Sequence, residues 1–93
     1  PEEFCFLLPE TDLKGALVLA ERLRTTVAGL RIRADKRTFS VTASFGVAER
    51  QSDTDSIEHL LAQGDQALFK AKCEGRNRTV TWSEKVGKFW KPG

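Results

Sequence analysis

Apolar and polar residues are spaced along this chain in three distinct ways, and each spacing predicts a different element. Phe4-Cys5-Phe6-Leu7-Leu8 is an unbroken apolar run, short enough for a strand covered on both faces. Pro9 ends it, and Thr11 or Asp12 can cap a helix beginning there. Leu13, Ala16, Leu17, Ala20, Leu23 and Val27 then recur at steps of three and four, the spacing that gathers apolar side chains on one side of a helix. Glu21, Arg22, Arg24 and Thr25 fall off that stripe, and Gly29 stops the helix. Residues 31–36 read as a polar connection with room for a short edge strand.

Strict alternation begins at Phe39. Phe39, Val41, Ala43, Phe45 and Val47 share one face, and Ser40, Thr42, Ser44 and Gly46 the other. This predicts one long strand. Phe39, Val41, Phe45 and Val47 are expected to be buried with Leu17, Leu23, Leu60 and Leu68. Residues 49–55 form a polar turn region, and Asp55 with Glu58 suits the cap of a second helix. Ile57, Leu60, Leu61, Gly64, Leu68 and Ala71 supply its buried stripe, Gly75 ends it, and Thr79-Val80-Thr81-Trp82 reads as a last short strand. Residues 83–93 show no period and are expected to be a basic aromatic tail, mobile or docked by Phe89 and Trp90. From residue 4 the order is strand–helix–strand–helix–strand, which predicts an α/β sandwich with helices packed on a sheet.

Composition narrows the class. At 93 residues the chain is one domain or part of one. A content of 40% hydrophobic and 30% charged residues argues against disorder and fibrous repeats. The apolar runs 4–8 and 16–20 are too short to span a bilayer, and the acidic start does not read as a signal peptide. The net charge of +2 comes from residues after position 69, so no body-wide positive field exists and no nucleic-acid partner is expected. An RNA-binding domain would draw on Phe39, Phe45 and the basic C-terminus. Those phenylalanines, however, alternate with small residues as core positions do. Cys5 and Cys73 lack the spacing of a zinc site or a disulfide framework. They read as reduced thiols, which points to the cytoplasm.

Two charge constellations could carry chemistry. Glu2 and Glu3 are adjacent carboxylates at the entrance to an apolar strand, a source of hard oxygen ligands for magnesium; the alternative is a solvated acidic strand end. Lys72 and Arg76 are four apart, so a point charge and a planar fork of donors can face one anion. The alternative is a cationic helix end complementing the dipole. Asp65 shares the Lys72 edge of the helix and reads as a structural carboxylate that orients a basic group or caps backbone donors. His59 reads as a surface residue without a ligand partner, and Arg22 as a solvated helix arginine.

Four stretches bear on family. They are Glu2-Glu3-Phe4 with Leu8-Pro9-x-Thr11, then Ala20-Glu21-Arg22-Leu23-Arg24, then Val41-Thr42-Ala43-Ser44-Phe45-Gly46-Val47-Ala48. The last and most specific is Asp65-x-Ala67-Leu68-Phe69-x-Ala71-Lys72-x-x-Gly75-Arg76-Asn77. In this order they resemble the GGDEF family of nucleotide cyclase domains, over residues 2 to 81 or so. The resemblance implies a ferredoxin-like cyclase palm, of which residues 1–82 form the C-terminal part, truncated at its N-terminal side. An upstream strand would lie between strand 4–8 and strand 39–48. It further implies a diguanylate cyclase that condenses two GTP into cyclic di-GMP with Mg2+ or Mn2+, in bacterial signalling.

By the same resemblance Glu2 is catalytic and binds metal, Glu3 binds metal, and Lys72 and Arg76 hold the GTP phosphates. Arg22 takes a position that binds cyclic di-GMP as a regulator in some members. The implied partners are GTP, cyclic di-GMP, and a second copy or the missing N-terminal half, with no membrane insertion of this segment. The family motif opens with two glycines, whereas Pro1 precedes Glu2. That departure supports an alternative, a non-catalytic module binding nucleotide or partner domains. By itself the chain is expected to make no cyclic di-GMP.

Overall fold

The computed structural model describes residues 11–52 and 54–90, so the expected strand at 4–8, with Cys5, lies outside the described residues. Asp12, one of the two candidate caps, opens α1 (Leu13–Ala28): its Oδ1 accepts from the Gly15 N–H at 2.8 Å. The Leu13 N–H, another donor without a partner inside the helix, donates to Glu49 Oε2 at 3.1 Å. Gly29 ends α1 with φ −84°, so it stops the helix without the left-handed conformation for which glycine is usually selected. Of the apolar stripe Ala20 is fully buried, while Leu23 stays largely open to solvent.

A hairpin comes next, β1 (Ile32–Ala34) and β2 (Arg37–Phe39), paired antiparallel with Ile32 opposite Phe39. Its two turn residues, Asp35 and Lys36, both have positive φ, 51° and 66°. Two such residues in succession give the turn whose twist matches that of the flanking strands. The hairpin packs against no other described element. β3 (Phe45–Val47) pairs in parallel with β4 (Thr79–Thr81), Phe45 opposite Thr79 and Val47 opposite Thr81. Between them α2 (Ile57–Cys73) makes the crossover that a parallel pair requires. α1 and α2 both pack on β3 and β4. The architecture is therefore α+β, helices on a small sheet, in agreement with the fold class expected from sequence.

Three expectations need correction. The long strand from residue 39 is divided: Phe39 closes the hairpin, residues 40–44 have no ladder partner among the described residues, and only 45–47 form a strand. Phe39 and Val41 are accordingly exposed, at 45% and 38%, while Phe45 and Val47 are half-buried. Alternation alone does not bury a face. Burial needs a covering helix, and α2 covers only the β3 stretch. Second, the cap of α2 is Ser56 rather than Asp55, its hydroxyl accepting from the His59 N–H at 3.2 Å.

Third, the buried stripe of α2 is rotated from the expected one. Ala71 is buried as expected, but Gln63 and Ala67 are buried with it, while Leu60, Gly64 and Leu68 are half-buried and Ile57 and Leu61 exposed. The cause is close approach of strand and helix: a Cβ on Gly46 would collide with the Gly64 carbonyl and the backbone of Leu68. Gly64 and the Leu68 backbone meet the strand, and Ile57 and Leu61 are left facing outward.

The segment after residue 82 forms α3 (Glu84–Phe89), capped by Ser83. Val86 is buried, and Phe69 of α2 meets Trp90 edge-on at 4.9 Å and Phe89 at 6.0 Å. Trp82 Nε1 donates to Gln66 Oε1 at 2.8 Å. Docking through Phe89 and Trp90 thus occurs, on a helix too short to show a period. No helix among the described residues is long and apolar enough to cross a membrane.

Candidate functional site

α2 ends in a turn whose hydrogen bonding is complete. The Arg76 N–H reaches back to the Ala71 carbonyl at 2.9 Å and the Gly75 N–H to the Lys72 carbonyl at 3.4 Å, the paired bonds of a Schellman motif. Gly75 supplies the required positive φ, 122°. The two residues after it, Arg76 and Asn77, are also left-handed, with φ 65° and 47°. Asparagine adopts this conformation readily; for arginine it costs on the order of 1 kcal/mol, so surrounding bonds must hold it.

Those bonds come from three directions. The Arg76 carbonyl accepts from Arg78 Nε at 3.1 Å. The Asn77 N–H donates to Ser44 Oγ, just before β3, at 3.0 Å. Arg24 of α1 donates through Nη1 to the Asn77 carbonyl at 3.3 Å and to its side-chain Oδ1 at 2.9 Å. Both backbone polar groups of Arg76 and of Asn77 are therefore bonded. The Arg76 guanidinium, in contrast, is exposed and makes no hydrogen bond or ion pair to a described residue. Lys72 is half-buried on the last turn of the same helix.

Arg24 is itself anchored. Its Nε and Nη2 donate to the two carboxylate oxygens of Glu21 at 2.8 and 2.9 Å, and Glu21 also accepts the Thr79 hydroxyl of β4 at 2.7 Å. The Arg24 hydrogen bond, then that of Thr79, pulls the Glu21 carboxyl down from 4.5 to about 2. Open grooves of about 450 and 400 Å³ flank this pair. Arg22 lines the first with Leu17, Val18, Glu21 and Thr25; the second runs along Arg24, Asn77, Arg78 and Thr79.

The structure thus sets Lys72 and Arg76 at one helix end and Arg22 on another element, exposed on α1. Glu2 and Glu3 lie outside the described residues, as does Pro1. Asp65 is exposed and its side chain bonds to no described residue, so the expected structural role is not seen. The third turn of a helix offers a carboxylate no unpaired N–H to cap. His59 is half-buried rather than a bare surface residue: its Nδ1 accepts from the Asp55 N–H at 3.3 Å and its Nε2 faces the Gln63 amide at 3.4 Å. Among the described residues no group of three or more His, Cys, Asp or Glu gathers.

Sequence reasoning gave no role to Glu21, Arg24, Ser44 or Asn77. Asn77, two residues after the glycine that ends the helix, was the available signal, because asparagine is enriched in left-handed positions.

Comparison with known proteins bears on the same stretch. Residues 1–78 match the family described as diguanylate cyclase, GGDEF domain. The chain is 44% identical over 79 residues to diguanylate cyclase DgcM of Escherichia coli strain K12, covering 85% of this chain and 18% of that protein. It is 37% identical over 81 residues to response regulator PleD of Caulobacter vibrioides, again 85% of this chain and 18% of that protein.

Among solved structures, the active GGEEF domain of a diguanylate cyclase from Vibrio cholerae aligns with a TM-score of 0.72 and 29% identity, over 82% of this chain and 47% of that one. Diguanylate cyclase SiaD of Pseudomonas aeruginosa, solved with its activator SiaC, aligns with a TM-score of 0.73 and 36% identity, over 80% and 28%. The chain spans less than half the length of each of these proteins.

Proposed function

This chain belongs to the diguanylate cyclase GGDEF family, and we propose from that premise that it supplies the phosphate-holding part of a GTP site in a protein that condenses two GTP into cyclic di-GMP. Residues 1–82 are then the C-terminal part of the cyclase domain, and 83–93 an appended segment that includes α3. Lys72 and Arg76 hold the triphosphate, one as a point charge and one as a fork of donors. The observation that supports this most is Arg76: a fixed backbone carrying a guanidinium with no partner among the described residues.

Glu2 and Glu3 have the donor chemistry for Mg2+ or Mn2+, and a divalent cation held there supplies charge neutralisation for the phosphates. Glu2 also helps activate the 3′-hydroxyl that attacks the α-phosphate of the facing nucleotide, with release of pyrophosphate. That second nucleotide sits on another copy or domain, and Arg22 contacts cyclic di-GMP as a regulator. The reaction takes place in the cytoplasm, where GTP is available. Pro1 favours a second reading, a non-catalytic module that still binds nucleotide.

The test uses the full-length protein. Arg76→Ala and Lys72→Ala are each expected to weaken GTP binding about tenfold or more, the size of a lost charge-assisted hydrogen bond. Glu2→Ala is expected to stop cyclic di-GMP formation and leave GTP binding measurable. Unchanged GTP affinity in both cation variants would sink the phosphate assignment. GTP binding without product from the unsubstituted protein would select the second reading.

A further inference from the structure

Arg24 sits on α1, 53 residues before the turn that it touches. Its donors are nearly all committed: two bonds to Glu21, one to the Asn77 carbonyl and one to Asn77 Oδ1, against five N–H groups in a guanidinium. It therefore has little left with which to bind a phosphate itself. Two of these bonds converge on the residue next to Arg76, where the chain holds, as it does at Asp35 and Lys36, two successive left-handed, non-glycine residues.

We propose that Arg24, held in a two-pronged pair by Glu21, is a positioning residue for the phosphate-binding turn. It locks Asn77 in its left-handed conformation and thereby fixes the direction in which Arg76 presents its guanidinium. The inference rests on the phosphate-binding role proposed above for Arg76.

The geometry explains why a fork is needed. One edge of the guanidinium takes the Glu21 carboxylate while the remaining Nη1 spans the two oxygens of Asn77. A lysine, one charge at the end of a flexible stem, cannot hold both partners in fixed orientation. Glu21 is tied in turn to β4 through the Thr79 hydroxyl, and the Asn77 N–H to the start of β3 through Ser44. The turn is thus gripped from α1 and from the sheet at once. Arg76, directly preceding Asn77, has both backbone polar groups bonded and so loses little backbone freedom when an anion arrives, the condition under which a charged side chain binds tightly.

The experiment measures the GTP dissociation constant of the full-length protein by calorimetry, with the KM and kcat of cyclic di-GMP formation where turnover occurs. Arg24→Ala is expected to weaken GTP binding about tenfold and to raise KM much more than it lowers kcat. Arg24→Lys is expected to behave like Arg24→Ala. Asn77→Gly, which removes the Oδ1 that Arg24 grips and frees the backbone, is expected to weaken GTP binding to a degree similar to Arg24→Ala.

The decisive measurement is the pair Arg24→Ala and Arg76→Ala: with Arg76 removed, Arg24→Ala should cost no further affinity, whereas a general structural defect would add its loss in either background. Additive losses, or full rescue by Arg24→Lys, would overturn the positioning role and leave the phosphate site standing. Unchanged affinity in Asn77→Gly would also overturn it, because the grip of Arg24 on Asn77 would then not set the direction of Arg76. Unchanged affinity in Arg76→Ala would bring down the phosphate site itself, and this inference with it.

Discussion

Glu21 uses one carboxylate for two partners, the fork of Arg24 and the hydroxyl of Thr79. Both favour its charged form, so its carboxyl titrates at about 2 rather than 4.5 in the folded chain. Stability from this group is complete above the ordinary value and is lost as pH falls through the lowered one, because the unfolded chain binds the proton first. Acid unfolding followed between pH 4.5 and 2 should therefore become less steep in Glu21→Gln, with no change in pH dependence around neutrality. An acid limb of unchanged slope would show that the carboxylate is not coupled to folding. The Arg76 guanidinium, without a partner among the described residues, and the bonded state of its backbone are two sides of the same arrangement: the bonds around the turn go to main chain or to Asn77.

Where β3 crosses α2, two glycines face opposite demands. Gly46 has no room for a methyl group, since it would meet the Gly64 carbonyl and Leu68 backbone, whereas a Cβ on Gly64 meets nothing within 4 Å. Gly46→Ala is expected to destabilise the chain by about 3 kcal/mol or prevent folding, because backbone cannot step aside as a side chain can. Gly64→Ala, in a helix interior, is expected to stabilise it by about 0.5–1 kcal/mol. Thermal melts of the two variants check both signs; a tolerated Gly46→Ala would mean that strand and helix lie further apart. Helix positions were legible from the sequence because caps and stripes are local: Asp12, Gly29 and Gly75 stand at the boundaries that they predicted. The length of the strand after Phe39 was not legible, since it depends on which stretch α2 covers. Lys72 and Arg76 were legible as a spacing, but the Glu21–Arg24–Asn77 clamp joins residues 53 positions apart, and no periodicity reports such a contact.

The described chain leaves Leu30, Phe39 and Val41 exposed around a stretch, 40–44, that has no ladder partner among the described residues. Exposed apolar side chains beside an unpaired strand edge are a template for another chain. The chain on its own is therefore expected to sediment as more than a monomer at micromolar concentration, and Val41→Lys should shift it toward monomer. A compact, stable monomer for the unsubstituted chain would contradict this. The β1–β2 hairpin belongs to that region and, among the described elements, is held by its own cross-strand bonds alone. Its free energy is thus nearly separable from that of the sheet and helices, which makes it a place where the polypeptide can change length at little cost. A peptide spliced between Asp35 and Lys36 would extend a structure that no other described element of the chain leans on, and the turn that carries Arg76 would not register its presence.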